Sequence, residues 1–326
     1  MYLGEQLAAV EEPRLTWAAQ VGVEAVALHT TGGSESERAI AAPDGRWDVG
    51  RIVGLKERIA AFGIRLEVLS LDVEALWWSL LLERDDAEAR LDVARANVEA
   101  AAAAGIGCLK YRVQPLGVLR TGRVPGRGGA QCHAFDVARW SDESPSEAGQ
   151  VDEARWWRSI ERFLTAVVPT AEQRGVRLAC HPQDPALPPG GVRGMPHVLG
   201  TLEALDRFLS IAASPVHGLN FCQGTVAEMF ERPAEAVPEA IRHFGRQGKI
   251  FMVHFRNIKG GRGNFVEVYP DDGDVDMAEA MRAYKEVGYR GMFCPDHVPQ
   301  SDADPRGERQ FAFCLGYTRA LIQSVR

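Results

Sequence analysis

Long apolar segments are missing from this 326-residue sequence. No run approaches the roughly 20 apolar residues that a membrane-spanning helix needs, which argues against an integral membrane protein. The first fifteen residues, MYLGEQLAAVEEPRL, lack a basic start followed by an apolar stretch, so they do not resemble a secretory signal peptide. We therefore expect a cytoplasmic protein.

Paired cysteine motifs are missing as well. The sequence has no Cys-x-x-Cys, and its six cysteines show no paired spacing: Cys108, Cys132, Cys180, Cys222, Cys294 and Cys314. This scatter is typical of reduced thiols in a cytoplasmic protein rather than of a disulfide framework. A functional cysteine in this chain is therefore expected to be a metal ligand or a nucleophile.

An excess of positive charge is also missing. Lysine and arginine number 37 against 44 aspartates and glutamates, which gives a formal net charge of −7. Binding to nucleic acid or to anionic lipid would favour a basic face, so we expect neither partner. Hydrophobic residues make up 46% and charged residues 25% of the chain, close to globular averages, so a sizeable core can form.

Glycine-rich nucleotide motifs are absent, since neither G-x-G-x-x-G after a first strand nor G-x-x-x-x-G-K-[ST] occurs. What is present is an alternation of short apolar runs with amphipathic helical patterns, which predicts a parallel sheet with helices outside. The apolar runs are 23–30, 64–71, 108–113, 176–181, 218–222, 250–257 and 291–296, and residues 1–7 can supply an eighth. Eight such units predict one (β/α)8 barrel domain over residues 1–326; a doubly wound open sheet is the alternative.

One segment, residues 115–150, interrupts this rhythm after the strand that ends near Val113. It is too long for an ordinary connection between a strand and a helix. It contains Arg120, Arg123 and Arg127. Two interpretations stay open: a flexible surface insertion, or a lid over the barrel mouth that brings cationic groups to an anionic substrate.

Four metal-binding side chains stand at or near the ends of consecutive predicted strands. They are His181, Cys222, His254 and Asp296, each about one βα unit from the next. Taken singly, such a histidine is more often structural and such a cysteine more often a small core residue. Because barrel active sites lie at the carboxyl ends of the strands, however, all four would point at one place. Two imidazoles, a thiolate and a carboxylate suit a divalent transition ion such as zinc, manganese or iron and disfavour magnesium and calcium.

Two further residues are candidates for the reaction itself. Arg256 shares the inward face with His254, because residues alternate sides along a strand, and it could bind a substrate carboxylate with two hydrogen bonds. An ion pair that ties loops together is the alternative for Arg256. His297 directly follows Asp296 and is a candidate general acid or base near neutral pH.

Five separated motifs together resemble the D-mannonate dehydratase family, in that family's order and approximate spacing. They are HPQDP (181–185), LNFCQG (219–224), HFRNIK (254–259), FVEVYPDDGDVDM (265–277) and PDH (295–297). The resemblance is dense over residues 156–298 and extends more weakly to Tyr111, Pro115 and the Arg120–Thr121 pair. No single motif is specific, and the weight lies in their agreement.

The resemblance implies a barrel of the xylose-isomerase-like kind and a hydro-lyase activity. It implies β-elimination of water from a sugar acid, by default D-mannonate, with 2-keto-3-deoxy-D-gluconate as product. It also implies a divalent metal, usually manganese with iron, cobalt and zinc left open, held by the four strand-end residues. The expected partner is a small-molecule sugar acid, and a homodimer is left open.

The resemblance also assigns roles to residues around the metal. His297 and Arg256 become the candidate catalytic residues, with His297 carrying one of the two proton transfers. Arg256 and Lys259 become holders of the substrate carboxylate or hydroxyls. The candidate substrate-binding residues are Tyr111, Arg120, Asn257 and Lys259.

The sequence departs from the family around the expected substrate. Gln183 stands where the family has aspartate, Arg112 where it has asparagine, and Val266 where it has histidine. The tyrosine that the family carries after Pro-Asp-His is missing from VPQSDADPRGERQ (298–310). Two alternatives therefore stay open: a metal-dependent sugar isomerase or epimerase, and a non-catalytic relative that binds a metal or a sugar.

Overall fold

Strands and helices alternate along the chain, as the sequence predicts. The structure is a computed structural model that describes residues 1–142, 144–187 and 190–326. The strands are Tyr2–Leu7 (β1), Ala25–Leu28 (β2), Arg65–Ser70 (β3), Cys108–Arg112 (β4), Gly122–Pro125 (β5), Gln131–Asp136 (β6), Arg177–His181 (β7), His217–Cys222 (β8), Ile250–His254 (β9), Asn257–Gly261 (β10), Asn264–Val268 (β11) and Met292–Cys294 (β12). The α-helices are Glu12–Gln20 (α1), Glu35–Ile40 (α2), Val49–Ala60 (α3), Glu74–Leu81 (α4), Ala87–Ala103 (α5), Glu153–Arg174 (α6), Leu202–Ile211 (α7), Gln223–Ala227 (α8), Pro233–Arg246 (α9), Met277–Glu286 (α10) and Glu308–Ser324 (α11).

Within these described residues, eight of the strands close into a parallel barrel. Their order around the barrel is β1, β2, β3, β4, β7, β8, β9 and β12, and β12 pairs back onto β1. Closure confirms the predicted (β/α)8 barrel and rules out the open, doubly wound sheet. The strand at residues 2–7 is the eighth strand that the first residues of the sequence could supply.

The helices pack outside the barrel because each buries one apolar stripe. The stripe of α6 has the predicted spacing and consists of Trp156, Ile160, Phe163 and Val167, all fully buried. Asp152 caps the start of α6 by accepting a hydrogen bond of 2.6 Å from the N–H of Arg155. Gly175 ends it at φ 69°, a left-handed conformation that glycine adopts without strain. Among the described helices, none is both long enough and apolar enough to cross a bilayer.

Inward-facing side chains alternate along the barrel strands and divide the interior into two levels. The lower level is a small apolar core of Ala25, Ala27, Val68, Cys108, Ala179, Phe251, Met252, Met292 and Cys294. The residue two positions after a lower-level residue points to the same interior face. Lys110 stands in this way above Cys108, His181 above Ala179 and His254 above Met252. Apolar packing therefore closes the barrel below, and polar groups occupy its upper level.

A second, antiparallel sheet lies at the carboxyl ends of the barrel strands. Its order is β10, β11, β6, β5, and β10 begins only three residues after β9 ends. Residues 115–150, interpreted from the sequence as a surface insertion or a lid, contribute β5 and β6 to this sheet. These two strands are short, and β5 is rich in exposed positions, so they produce no apolar run that sequence analysis could recognise.

Candidate metal centre

Four metal-binding side chains meet at the carboxyl ends of four adjacent barrel strands. His181 ends β7, Cys222 ends β8, His254 ends β9, and Asp296 follows β12 by two residues. Cys222 and His254 are partners in the register of β8 with β9, so their side chains stand at the same level. One ligand-type atom from each of the four residues lies within 4.8 Å of the others. The structure thus brings together the set that the sequence singled out.

Hydrogen bonds leave His181 one nitrogen for a cation. Its Nδ1 lies 2.6 Å from the carbonyl oxygen of Pro182 and donates to it, so the lone pair stays on Nε2. Burial, together with the nearby His254, lowers the pKa of His181 to about 3, which keeps the imidazole neutral. A neutral imidazole with its second nitrogen tied to a carbonyl is the usual form of a histidine ligand.

Two unpaired buried atoms point to a cation beside His254. Its Nδ1, 3.3 Å from Asp296 Oδ1, forms no hydrogen bond within the described part of the chain, and neither does Asn220 Oδ1. The Asn220 amide lies 3.1 Å from His254 Nε2. If that amide presents its oxygen to a protonated Nε2, Nδ1 keeps a lone pair for an ion.

The two remaining donors supply the negative charge. Burial would raise the pKa of Asp296, but His254 and His297 outweigh it and hold the pKa well below its ordinary value. Burial raises the pKa of the Cys222 thiol to about 12, so the sulfur stays protonated unless a metal cation beside it lowers that pKa and binds the thiolate. Thr225 supports the sulfur, since its hydroxyl lies 3.1 Å and its N–H 3.5 Å from Sγ.

The composition of this group fits a divalent cation. Two neutral imidazoles, one carboxylate and one thiolate carry two negative charges in total, which a divalent ion neutralises. Nitrogen, sulfur and oxygen donors together favour a transition ion over magnesium or calcium. The four side chains therefore form a group that could hold a divalent metal ion.

Arg256 lies buried behind this group, surrounded by carboxylates. Its Nε is 3.2 Å from Asp296 Oδ2, and its Nη2 is 2.9 Å from Asp184 and 3.0 Å from Glu228. Its Nη1 is 3.4 Å from Glu267. The guanidinium is thus committed to the protein's own carboxylates. Of the two interpretations that the sequence leaves open for Arg256, these contacts favour the ion pair.

A second group of ionisable side chains adjoins the first. Asp184, Glu267 and His297 also bring ligand-type atoms within 4.8 Å of one another. Arg120 donates to Asp184 at 2.6 Å and to Glu267 at 3.1 Å, and Arg256 contacts both. Burial alone would raise the pKa of each carboxyl. Arg120 and Arg256 hold the pKa of Asp184 below the ordinary range, and His297, with Arg256 and Arg120, does the same for Glu267. Because its charge is already balanced, we interpret this group as an ion-pair network rather than a second metal site.

His297 lies where this network meets open space. Its Nδ1 is 2.8 Å from Glu267 Oε1 and its Nε2 is 3.7 Å from Asp296 Oδ2. Burial opposes a charge on the ring, but Asp296 and Glu267 outweigh it and raise the pKa of His297 to about 9. Its side chain is 31% exposed, against 9% or less for those two carboxylates. His297 is therefore the most exposed member of the network toward a small molecule.

Two adjoining cavities give access to the cluster. The inner one, about 300 Å³, is lined by barrel side chains that include His29, Lys110 and His254. The outer one, about 810 Å³, lies between the small sheet and residues 298–307. Asp296 and His297 line both. Volumes of this size, roughly 300–1,000 Å³, are typical of sites for small molecules.

Two predicted substrate-binding residues lie away from these cavities. Asn257 is buried and donates to the carbonyl oxygens of Pro270 and Val275, at 2.9 and 2.8 Å. Lys259 is half exposed and pairs with Asp272 at 2.7 Å. Within the described part of the chain, neither side chain lines the inner or the outer cavity. The structure gives Asn257 a role in loop packing and Lys259 a surface ion pair.

The other two predicted substrate-binding residues lie near the cluster. Tyr111 borders the inner cavity, but its ring packs on Phe163 outside β4, with ring centroids 5.2 Å apart. Arg120 borders the outer cavity and is paired with Asp184 and Glu267. Their roles in binding a substrate stay predictions.

Sequence reasoning does not identify several residues that build the site. Asp184 and Glu267 fall inside two of the recognised motifs, so their positions in 181–185 and 265–277 carry a usable signal. No sequence pattern marks Glu228, because it lies after the short helix α8 and contacts Arg256 only in the folded structure. Lys110 could be found by alternation, since Cys108 two residues earlier faces the barrel interior.

Comparison with known proteins places this geometry in a family context. The family model for D-mannonate dehydratase (UxuA) matches residues 142–319, more than half of the chain. That range contains all four members of the metal centre, together with Arg256 and His297. It begins after β4 and therefore does not include Lys110 or Arg120.

Individual relatives agree with the family match. A mannonate dehydratase of Thermotoga maritima is 35% identical over 150 residues, 45% of this chain and 40% of that protein. Mannonate dehydratase 2 of Halalkalibacterium halodurans is 36% identical over 151 residues, 45% of this chain and 42% of that protein. The alignment thus spans about two fifths of the length of these curated relatives. The crystal structure of mannonate dehydratase from Streptococcus suis serotype 2 superimposes with a TM-score of 0.86 and 22% identity, covering 100% of this chain and 93% of that chain, which shows the shared fold.

Replacing Cys222 by alanine tests the four-residue centre. We expect the affinity for manganese or zinc to fall by at least about 100-fold, because loss of even an outer partner of a ligand costs about 10–100-fold. The measurement is metal titration together with elemental analysis of the purified protein. Cys314→Ala is the matched control, since Cys314 is equally buried but lies outside the centre. Full metal affinity in Cys222→Ala would contradict the proposed ligand set.

Replacing Arg256 by methionine tests the ion-pair network. The change removes the one cation paired with Glu228 among the described residues and a shared cation of three further carboxylates, so we expect a loss of about 3–5 kcal/mol in the free energy of unfolding. Denaturant unfolding measures it. Arg242→Met is the control, because Arg242 also contacts three carboxylates, all on the protein surface, where each pair contributes about 1 kcal/mol or less. Equal losses in the two variants would argue against a special role of the buried network.

Proposed function

The chain belongs to the D-mannonate dehydratase family, and from that premise we propose that it is a hydro-lyase that removes water from a sugar acid. D-Mannonate is the default substrate and 2-keto-3-deoxy-D-gluconate the corresponding product. The observation that carries the proposal is the convergence of His181, Cys222, His254 and Asp296 beside a cavity that His297 also lines. The site combines a candidate metal centre, a proton carrier and room for a small molecule.

The reaction needs two proton transfers. A base must take the proton from carbon 2, which is weakly acidic beside a carboxylate, and an acid must protonate the hydroxyl that leaves carbon 3. When bound, a divalent ion supplies Lewis acidity that polarises substrate oxygens. We assign the ion to the four strand-end residues and propose manganese as its identity, with iron, cobalt and zinc as alternatives.

His297 is the residue that we assign to the acid step. The carboxylates of Asp296 and Glu267 favour its protonated form, and its ring is reachable from both cavities. A protonated imidazole beside the substrate can donate to the departing hydroxyl oxygen. Arg256 acts indirectly in this scheme: its contact with Asp296 Oδ2 orients that carboxylate, so we treat it as a positioning residue.

The contacts of Glu67 and Glu267, the strand-associated glutamates that an isomerase could use as a base, bear on the isomerase alternative. An isomerase or epimerase of a neutral sugar would need a carboxylate free to act as base. Glu267 is paired with Arg120 and His297. Glu67 accepts a hydrogen bond from the Tyr2 hydroxyl and borders neither described cavity. These contacts favour the dehydratase over the isomerase.

The surroundings of the reaction follow from the same proposal. All six cysteines are free, which supports a reducing compartment, and we propose the cytoplasm. The partner is a small-molecule sugar acid. A homodimer is a further proposal whose test is the mass of the protein in solution.

Turnover of D-mannonate tests the proposed function directly. We expect the manganese-loaded protein to form 2-keto-3-deoxy-D-gluconate, and we expect a chelator to abolish this activity, because polarisation of the substrate oxygens is lost. Chromatography of the product provides the measurement, and D-mannose serves as the neutral-sugar control. No product from D-mannonate or its epimers would contradict the proposal. An aldose–ketose conversion would instead identify an isomerase, and metal binding without any turnover would identify a non-catalytic relative.

Replacing His297 by asparagine tests the acid step. We expect kcat to fall about 10²–10⁴-fold, the usual contribution of a general acid or base, with the metal content unchanged. Steady-state kinetics and elemental analysis provide the two readouts. His243→Asn is the matched control, since His243 is an exposed histidine that pairs with Asp206 outside the site. Wild-type kcat in His297→Asn would remove His297 from the mechanism.

A further inference from the structure

The inner cavity contains a buried cation that the proposed reaction has not yet used. Lys110 lies on β4, faces the barrel interior and is 7% exposed. Among the described residues, Lys259 is the one lysine that forms an ion pair, so Lys110 Nζ has no carboxylate partner within 4.0 Å. Its hydrogen bond goes to the side-chain oxygen of Gln6, a neutral group.

Lys110 differs in this respect from the other buried cations of the site. Arg120 and Arg256 each contact at least two carboxylates of the protein. Burying an unpaired ammonium costs free energy that a later anionic partner can recover. An unpaired cation that borders a cavity is therefore suited to bind an anionic group that enters the cavity.

The charge state of this corner of the cavity supports such a role. Burial lowers the pKa of Lys110 to about 8, which leaves the amine protonated at neutral pH. The charge of Lys110, together with burial, lowers the pKa of His29 well below its ordinary value, so that imidazole stays neutral. Lys110 is thus the deep positive charge on this side of the cavity.

Gln6 connects Lys110 with the candidate metal centre. Its side-chain oxygen accepts from Lys110, and its Nε2 donates to Asp296 Oδ1 at 2.9 Å. Two hydrogen bonds of ~2.9 Å and one amide group separate the amine from that carboxylate, a distance of at most about 8 Å. One short sugar chain can reach both Lys110 and the group around Asp296.

We propose that Lys110 binds the carboxylate of the substrate and thereby makes the inner cavity selective for sugar acids over neutral sugars. This inference rests on the proposed function and extends it by naming the residue that recognises the acid. Two other cations considered for this role are engaged elsewhere, Arg256 with the protein's carboxylates and Lys259 with Asp272. Lys110 also lies outside the range that the family model matches, so that match does not assign it a role.

The test compares an acid with its neutral amide. D-Gluconate and D-gluconamide, which differ in that one group, are titrated calorimetrically into the manganese-loaded wild type, Lys110→Met and Lys110→Gln. We expect each variant to bind gluconate at least about tenfold more weakly, since a charge-assisted hydrogen bond is lost, and to bind gluconamide within about threefold of wild type. Lys285→Met is the control, because it removes the same charge from an exposed lysine that lies outside both cavities.

Several outcomes would overturn the inference. One is undiminished gluconate binding in both Lys110 variants that fold, as judged by circular dichroism and thermal unfolding. Another is equal loss of acid and amide, which would mean that Lys110 only shapes the cavity. A third is a wild type that does not distinguish the two ligands.

Kinetics with D-mannonate separate this inference from the proposed function. If the wild type prefers gluconate to gluconamide through Lys110 but does not convert D-mannonate, the acid site is supported and the dehydratase is refuted. If Lys110→Met converts D-mannonate with the KM of the wild type, the dehydratase is supported and the role of Lys110 is refuted.

Discussion

The buried guanidinium of Arg256 is the interaction on which the site depends. Four largely buried carboxylates lie around it, and without a cation they would repel one another or take up protons. The fold makes room for it, because a Cβ on Gly224 would lie 2.4 Å from Arg256 Nη1. By fixing Asp296 through Nε, Arg256 also fixes one of the four donors of the candidate metal centre.

The same balance of charges explains why the two neighbouring groups have different roles. Around Asp184 and Glu267, Arg120 and Arg256 supply positive charge from the protein, so no external cation is needed. Around Cys222 and Asp296, the histidines are neutral and the thiol is protonated until a cation arrives. A divalent ion is therefore favoured at one group and disfavoured at the other, although their ligand-type atoms are equally close.

Parts of this arrangement can be predicted from sequence and parts cannot. The barrel and the four donors are predictable, because strand periodicity places His181, Cys222, His254 and Asp296 at the ends of neighbouring strands. Contacts between distant segments are not predictable in this way. The pairing of Arg256 with Glu228 needs the exact path of α8, and the antiparallel pairing of β6 with β11 and with β5 leaves no apolar pattern. Motif membership does not fix where a side chain points either: Lys259 falls in a motif that points to the site, whereas its side chain pairs with Asp272 on the surface.

The two sides of the barrel contribute different chemistry. Strands β7, β8, β9 and the segment after β12 carry the candidate metal ligands, and all of them lie in the range that the family model matches. Strands β1, β2 and β4 come earlier in the chain and bring Gln6, His29 and Lys110 to the opposite wall of the inner cavity. Because Gln6 hydrogen-bonds to both Lys110 and Asp296, the two walls are linked and do not act independently.

A chain with a net charge of −7 can attract an anion only through local cations. Of the basic groups in the inner cavity, Lys110 is the buried lysine without an anionic partner in the described structure. The candidate metal centre and the proposed recognition of the substrate acid therefore come from different parts of the chain and are joined by one glutamine.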